Sequence, residues 1–229
     1  MVHDPALSGE HPADDLTQAV NDGKTHLLIA CSGSVATIKL PLILAALGKY
    51  QQLSIRVVMT NASRHFLSGQ AEEQPTLHQV RAMRNVDGIY GDEDEWVVPW
   101  SRGKAILHIE LRRSPLSLNT LAKLANGLSD NLLTSIVRAW DQAKTILVAP
   151  AGNTAMWNHP VTARQLAILE EWPWFEIYRP QEGVLACGDA GDGKMKEWSE
   201  LVEIVEMRLG LGPWGVAWSR GRLDMRGER

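Results

Sequence analysis

Three short apolar runs, two of them leading directly into turns of small residues, most constrain how this chain can fold. The runs are Thr25–Ala30, Ile55–Met59 and Thr145–Ala149. The second and third have the composition of parallel strands that are buried on both faces. The first is also predicted to be a strand, because it leads through a turn over residues 31–34 into a helical pattern.

Helix-like apolar spacing occupies much of the sequence between and after these runs. The predicted helices are Val35–Tyr50, Leu121–Trp140 with an interruption near Gly127, Pro160–Trp172, and Trp198–Leu209. Strands that alternate with helices predict the α/β class, as a doubly wound, Rossmann-like or flavodoxin-like parallel sheet flanked by helices. Residues 68–104 show no sustained period and are predicted to form an irregular surface flap.

Chain length and composition predict the domain organisation. The chain has 229 residues, of which 45% are hydrophobic, and one domain is predicted over residues 23–209. Residues 1–22 are polar and aperiodic, so they are predicted to be a disordered leader. Residues 210–229 are rich in Trp, Gly and Arg and form a C-terminal tail without an evident role.

The net charge and the number of cysteines indicate which classes of binding partner and which cellular compartment to expect. The formal net charge is -4, so no long basic surface favours nucleic acid or an anionic membrane. No apolar stretch reaches the length of a membrane span, and the first residues do not resemble a signal sequence. A cytoplasmic protein is therefore expected, and its two cysteines, Cys31 and Cys187, are expected to be free thiols.

The turn that contains Gly33 and Ser34 is a candidate phosphate site. It joins a predicted strand to a predicted helix, so free backbone N–H groups and the Ser34 hydroxyl could hold an anion. An ordinary tight turn explains the same residues, and the turn alone does not decide between the two.

Two further turns carry polar side chains at helix starts. Ser117 and Asn119 precede the helical pattern at Leu121, where either could cap the helix. Asn153 follows the third strand, at the sheet edge where open α/β folds bind ligands, and its amide can donate to a carboxylate. The alternative is that Asn153 caps a helix, with Met156 and Trp157 in the core.

The fourth candidate is a glycine-rich loop around Cys187. A cysteine on such a loop is accessible enough to donate a proton or act as a nucleophile, whereas Cys31 fits a buried structural role. His108 is one of seven histidines and its spacing does not single it out. No histidine and cysteine set has metal-ligand spacing, so no metal site is expected.

Taken together, these motifs resemble the homo-oligomeric flavin-containing cysteine decarboxylases from about Lys24 to Leu209. The matching segments are the Gly-Ser-Val-Ala turn, His-Ile-Glu-Leu-Arg-Arg, Pro-Leu-Ser-x-Asn-Thr, Pro-x-x-Asn-x-x-Met-Trp and Ala-Cys-Gly-Asp-x-Gly-x-Gly. The segment around His108 and the Cys187 loop are similar to the phosphopantothenoylcysteine decarboxylase branch of that family, and not to its peptide-modifying branch.

The resemblance implies an enzyme that decarboxylates 4'-phosphopantothenoylcysteine to 4'-phosphopantetheine in coenzyme A biosynthesis, with FMN as cofactor. In the chemistry that the resemblance implies, FMN would accept two electrons from the cysteine unit, and the resulting thioaldehyde would accept the electrons when carbon dioxide leaves. His108 would act beside the flavin ring, and Cys187 would supply the proton of the final reduction. The active sites would lie between subunits, commonly of a trimer.

The resemblance also assigns binding residues. The implied FMN contacts are Gly33, Ser34, Val35, Thr60, Ser63, Phe66, Ser117, Asn119, Thr120 and Ala151. The implied substrate contacts are Asn153, which would bind the carboxylate, together with Met156, Trp157, Ala186 and Gly188.

Two departures from the family pattern bear on activity. Gly152 stands where the family has Met, which is expected to remove apolar contact and add backbone freedom beside Asn153. An apolar strand that the family has after its Arg-Arg pair is missing between Arg113 and Ser114. Either the segment Ala105–Leu111 moves into its place, which would displace His108, or the sheet is interrupted.

Two alternative functions follow from the resemblance. Fungal relatives of the family bind and inhibit a serine/threonine phosphatase, so the chain could be a non-catalytic regulatory subunit. The missing strand raises a second alternative, an inactive FMN-binding homologue. Retention of His108, Asn153 and Cys187 together favours the enzyme.

Overall fold

The structure is a computed structural model that describes residues 16, 22–71, 74–97, 106–111, 117–184 and 190–211. Its strands are β1 Thr25–Cys31, β2 Leu53–Met59, β3 Val86–Tyr90, β4 Ile146–Val148, β5 Phe175–Ile177, β6 Gln181–Val184 and β7 Ala190–Lys194. Its α-helices are α1 Leu40–Leu47, α2 Asn61–Arg64, α3 Leu77–Arg81, α4 Leu107–Glu110, α5 Leu118–Ala125, α6 Leu132–Arg138, α7 Thr154–Trp157, α8 Pro160–Glu170 and α9 Trp198–Leu209. Short 3-10 helices cover Val35–Lys39, His65–Leu67 and Asp92–Trp96.

The strands form two parallel sheets and one hairpin. β1, β2 and β3 lie in that order, with β1 and β3 both parallel to β2. β4 and β5 form a second parallel pair, and β6 pairs antiparallel with β7. The predicted α/β fold with a parallel sheet and flanking helices is confirmed.

The core lies on both faces of the sheet, as expected for a doubly wound fold. Side chains alternate along a strand, and in β2 Val57 and Met59 pack into a different apolar cluster from Val58. The cluster around Val58 also contains α5, α6 and α8 residues, whereas the other contains α1 residues and Val202 of α9. Leu16, within the predicted leader, is buried in the first cluster.

The prediction of an irregular flap over residues 68–104 is wrong for its middle part. A capping box at Thr76 and Gln79 starts α3, and β3 follows and pairs with β2. Asp87 and Gly88 interrupt the apolar pattern of β3, so the residues of β3 alone do not predict a strand. The strand is stabilised by its pairing with β2.

Within the described part of the chain no strand pairs with both β1 and β4, which agrees with the family strand that the sequence lacks. Among the described residues, β1 pairs only with β2, and β4 pairs only with β5. Leu107–Glu110 forms the helix α4, with Leu107 and Leu111 in the core, so the described part of the segment Ala105–Leu111 does not replace the missing strand. No helix within the described ranges is both long and apolar enough to cross a membrane.

Candidate functional site

Four polar turns meet at the carboxyl ends of β1, β2 and β4. Ser34 and Ala151 line the same cavity. A side-chain Cβ at Gly33 would lie 2.7 Å from the Ala62 Cβ, so the turn after β1 touches the turn after β2. Leu118 contacts Gly152, which joins the third and fourth turns. The tertiary structure therefore brings together segments that are far apart in the sequence.

The first two turns are held by hydrogen bonds from side chains to backbone. Ser34 caps the 3-10 helix that follows, since the Ala36 N–H donates to its hydroxyl over 3.3 Å. The Thr60 N–H donates to the Cys31 carbonyl over 3.1 Å and ties the two turns together. Ser63 is fully buried and donates to the Thr60 carbonyl over 2.7 Å.

Three other residues predicted to contact FMN are more open. Val35 is 39% exposed, and Phe66 is half-buried in a 3-10 helix that packs against the one beginning at Val35. Asn119 is exposed in the first turn of α5. An exposed side chain at the edge of the turns can still reach a ligand, and all three positions border the assembled turns.

The turn before α5 is capped as the sequence suggested. The buried Ser117 hydroxyl accepts from the Thr120 N–H over 3.4 Å and donates to the Thr120 hydroxyl over 3.2 Å. Ser117 therefore caps α5, which was the alternative to a role in ligand binding. A cap does not exclude contact with a ligand, because the hydroxyl oxygen has two lone pairs.

Asn153 also caps a helix, α7, accepting from the Ala155 N–H over 2.9 Å. Asn153 is exposed, and Met156, three residues further along the chain, is 55% exposed. Trp157 is half-buried against the core. Asn153 and Met156 are therefore exposed at the surface, while Trp157 packs against the core.

The expectation that Gly152 removes apolar contact is wrong, because Leu118 packs against this position. A Cβ at Gly152 would lie within 3.0 Å of the Leu118 Cγ and closer still to its Cδ1. The space beside the backbone at position 152 is filled from the neighbouring turn, and Leu118 is only 8% exposed. The glycine permits this close approach, so the two positions form one packed contact.

The β6–β7 hairpin lies against the Asn153 segment through its glycines. The Gly152 N–H donates to the Gly193 carbonyl over 3.1 Å. A Cβ at Gly193 would clash with the Gly152 carbonyl oxygen, and one at Gly191 would clash with Thr154. The loop that joins the two strands carries Ala186, Cys187 and Gly188, which lie outside the described residues.

His108 is paired with a carboxylate that the sequence analysis did not identify. Its Nδ1 lies 2.7 Å from the Glu95 Oε1, and its backbone N–H donates to Oε2 over 3.1 Å. Glu95 is only 6% exposed. The acidic run at residues 92–95 was the only available signal, and it did not indicate which carboxylate turns inward.

His108 lies on α4, outside the four turns. α4 packs against α6 and the 3-10 helix that carries Glu95. The structure thus brings the predicted FMN and carboxylate contacts of these turns together, and it places His108 on α4 beside Glu95.

Cys31 lies at the end of β1, below the turns. The residue is half-buried, and desolvation raises the pKa of its thiol from 9.0 to about 12, so it is neutral near pH 7 and suited to a structural role. None of the turn residues 32–36, 60–63, 117–120 and 150–154 is a carboxylate. Their hydroxyls, side-chain amides and helix N–H groups fit the phosphate of a flavin nucleotide. Within the described ranges, no group of acidic, His and Cys side chains could hold a metal ion.

The fold and the assembled turns define a flavoprotein: the chain belongs to the flavoprotein family, whose model matches residues 16–210. Within it the chain is similar to the phosphopantothenoylcysteine decarboxylases. That of Mus musculus is 40% identical over 193 residues, covering 81% of this chain and 88% of the relative. One from Arabidopsis thaliana is 40% identical over 208 residues, covering 87% and 92%.

Other relatives are longer proteins. Coenzyme A biosynthesis protein 3 of Saccharomyces cerevisiae is 39% identical over 216 residues, which cover 86% of this chain and 36% of the relative. A probable thymidylate synthase of Schizosaccharomyces pombe is 44% identical, and the match covers 84% of this chain and 30% of that protein. The chain thus spans about a third of the length of these two fungal relatives.

The fold is similar to solved structures of the same kinds of protein. A PPC decarboxylase variant complexed with pantothenoylaminoethenethiol superposes with a TM-score of 0.69 at 39% identity, covering 81% of this chain and 98% of that one. An FMN binding protein superposes with a TM-score of 0.66 at 40% identity, covering 81% and 96%.

Proposed function

We propose that this chain is an FMN-dependent phosphopantothenoylcysteine decarboxylase. The observation that carries the proposal is the meeting of four polar turns at one sheet edge, with the Cys187 hairpin packed against the Asn153 segment. These are the segments whose motifs match the decarboxylases, and they are sequence-distant. An assembly of this kind is expected at the ligand edge of an open α/β sheet.

FMN would lie along the turns, with its phosphate at the start of the first helix. Gly33, Ser34 and Val35 would hold the phosphate through N–H groups and a hydroxyl. The remaining contacts would come from Thr60, Ser63, Phe66, Ser117, Asn119, Thr120 and Ala151. Bound flavin supplies the two-electron oxidation and reduction that make loss of carbon dioxide feasible.

The substrate would bind at α7, under the Cys187 hairpin. The exposed Asn153 amide would orient the carboxylate without adding a positive charge, which would over-stabilise the group that must leave. Met156 and Trp157 would supply apolar contact, together with Ala186 and Gly188 from the hairpin loop. Cys187 would deliver the proton that completes the reduction.

His108 would act across a subunit boundary. The resemblance implies sites formed between subunits, where His108 of one copy would serve the flavin of another. Glu95 would fix the imidazole ring by accepting from Nδ1, which leaves Nε2 directed away from the carboxylate. Light scattering on the purified protein tests the expected trimer.

One further expectation belongs with this proposal. A cytoplasmic location stays a prediction, to be tested by cell fractionation. A protein phosphatase partner is not proposed, because no feature of the described residues favours one.

The first experiment measures flavin and then product. The purified chain should be yellow and release FMN on denaturation, and Ser34→Ala should weaken FMN binding by about tenfold, the value of one hydrogen bond to a charged group. Incubation with phosphopantothenoylcysteine should release carbon dioxide. A chain that binds FMN but releases none would be the inactive homologue, and a colourless chain would contradict the proposal altogether.

Cys187→Ser tests the proton donor separately. The variant should still bind FMN and release carbon dioxide in a single turnover, while the reduced product fails to form. Normal product formation would refute the role given to Cys187.

A further inference from the structure

A cavity of about 430 Å³ runs between β1 and β4. It is lined by every residue from His26 to Cys31 and by every residue from Lys144 to Ala149. Successive side chains of a strand point to opposite faces of the sheet, so a cavity touched by six consecutive residues lies along the edge of the strand. The space therefore separates two strand edges that face each other.

The backbone hydrogen bonds tell which groups of β1 point into the cavity. The Thr25 N–H donates to Gln52, and the Cys31 carbonyl accepts from Thr60, so the odd-numbered residues of β1 face β2. The N–H and carbonyl groups of Leu28 and Ala30 must then point the opposite way. Both residues are buried, at 6% and 4% exposure, and among the described residues their N–H groups have no backbone partner.

β4 presents the complementary edge. The Ile146 N–H donates to Trp174, and the Val148 carbonyl accepts from Tyr178, so these two residues face β5. Leu147, between them, turns its backbone groups to the cavity.

Neither edge has the usual protection of an edge strand. Exposed edges commonly carry charges or prolines that prevent pairing, yet residues 27–31 and 146–148 contain none. Buried N–H groups without partners are rare in native proteins because each costs about as much as a lost hydrogen bond. A cavity of this kind fits an extended peptide segment that pairs on both sides.

The C-terminal helix leads to one end of this cavity. α9 lines it with Leu201, Val205 and Leu209, among others. The helix follows β7, which is bonded to Gly152 at the carboxyl end of β4. Its other end lies near Lys49, which follows α1 and pairs with Glu206 over 2.8 Å. The chain therefore leaves α9 at the end of the cavity where β1 and β4 begin.

The sequence after α9 has the features of a buried strand. Residues Trp214–Trp218 read Trp-Gly-Val-Ala-Trp, without a charge, and Arg220 is the first charged residue after Leu211. Trp and Val favour strands, and about five residues is the usual strand length. Pro213 is tolerated just before a strand, and residues 211–213 are an ordinary length for a helix-to-strand connection.

We propose that Trp214–Trp218 occupies this cavity as a parallel strand between β1 and β4 and joins the two sheets into one. The handedness of the connection from β5 through α9 to this strand is the same as that of the connection from β1 through α1 to β2. α9 packs on α1, so both helices lie on one face, and the steps from β1 to β2 and from β5 to the new strand run in the same direction across the sheet. The two crossovers then share one hand, as parallel connections do.

Hydrogen exchange of the Leu28, Ala30 and Leu147 amides tests the proposal. The full chain is compared with a chain that ends at Leu211 and with a control that ends at Ser219, which keeps the proposed strand. The amides should be protected in the full chain and the control, and exchange about tenfold faster or more in the shorter chain. Equal rates in all three would overturn the proposal.

Two outcomes need separate treatment. If the chain ending at Leu211 does not fold, the same amides are followed in Val216→Pro, which removes a strand N–H, with Leu223→Pro as the matched control. Faster exchange or unfolding in the first variant alone supports the strand, and identical behaviour of both overturns it. Protection that is lost when the protein is diluted to monomers would assign the cavity to a second copy, which also overturns the proposal.

Discussion

Leu118 occupies the space beside Gly152 that any side chain at position 152 would need. Gly152→Met should therefore destabilise the protein by about 1–3 kcal/mol through overpacking. Leu118→Ala should cost about 2–5 kcal/mol, because it opens a cavity at a buried position. In the double variant the new methionine can fill that cavity, so the loss should be smaller than the sum of the two single losses.

Urea unfolding of the four proteins measures this coupling. An interaction free energy of about 1 kcal/mol or more is expected for residues in direct contact. Strict additivity would contradict the packing relationship.

The contact between Gly193 of the β6–β7 hairpin and Gly152 predicts that a substitution at Gly193 lowers turnover without weakening FMN binding. Gly193→Ala would place a Cβ against the Gly152 carbonyl oxygen, a backbone atom that cannot move aside. The hairpin must shift, which should displace the Cys187 loop and lower kcat by about tenfold to a hundredfold. FMN affinity, measured by fluorescence, should stay unchanged.

Gly183→Ala is the matched control on the same hairpin. Its Cβ would lie 2.7 Å from the Lys194 Cδ, part of a flexible side chain that can rotate away. Near-normal kcat is expected. Equal losses in both variants would mean that the position of the hairpin does not govern turnover.

Glu95 should act as a positioning residue for His108. Glu95→Gln keeps the shape but leaves one acceptor for two donors, the His108 Nδ1 and its backbone N–H. Loss of such a partner typically costs about tenfold to a hundredfold, and the loss should fall on kcat while KM changes little. Glu93→Gln is the control, since Glu93 is exposed and pairs with Arg64. A kcat of Glu95→Gln equal to that of the control would contradict the role.

Cys31 should be inert to thiol reagents in the folded protein. In Cys187→Ser it is the only cysteine, and burial raises its pKa to about 12. At pH 8 about one thiol in ten thousand is then a thiolate, the reactive form. Labelling should be very slow until a denaturant is added, whereas Cys31→Ser, which keeps Cys187, should label quickly.

The same raised pKa predicts how stability depends on pH. The folded protein holds the Cys31 proton more tightly than the unfolded chain, whose thiol has a pKa near 9.0. The contribution of Cys31 to the free energy of unfolding is therefore fully present below pH 9 and is lost as the pH rises toward 12. Cys31→Ser should show a smaller alkaline decline in urea unfolding than the unchanged chain; Tyr50 and Tyr178, whose pKa values burial also raises, keep contributing. An equal decline in both proteins would contradict the assignment.

Local patterns predicted much of the framework. The runs that became β1, β2 and β4 were recognised because strands buried on both faces are apolar at consecutive positions. α9 was predicted with the bounds that the structure has, since its apolar spacing is regular. β3 was missed because Asp87 and Gly88 hide its pattern and only the partner strand β2 stabilises it.

The sequence by itself determined the strand-and-helix alternation, the small-residue turns and the motif set that marks a flavoprotein, because these depend on residue types over short spans. Only the tertiary structure decided that Leu118 fills the space at Gly152, that Glu95 is the partner of His108, and that β1 and β4 face each other across an open cavity. Those relationships join residues that are distant in the chain, and packing and hydrogen bonding between them depend on geometry that no local pattern encodes.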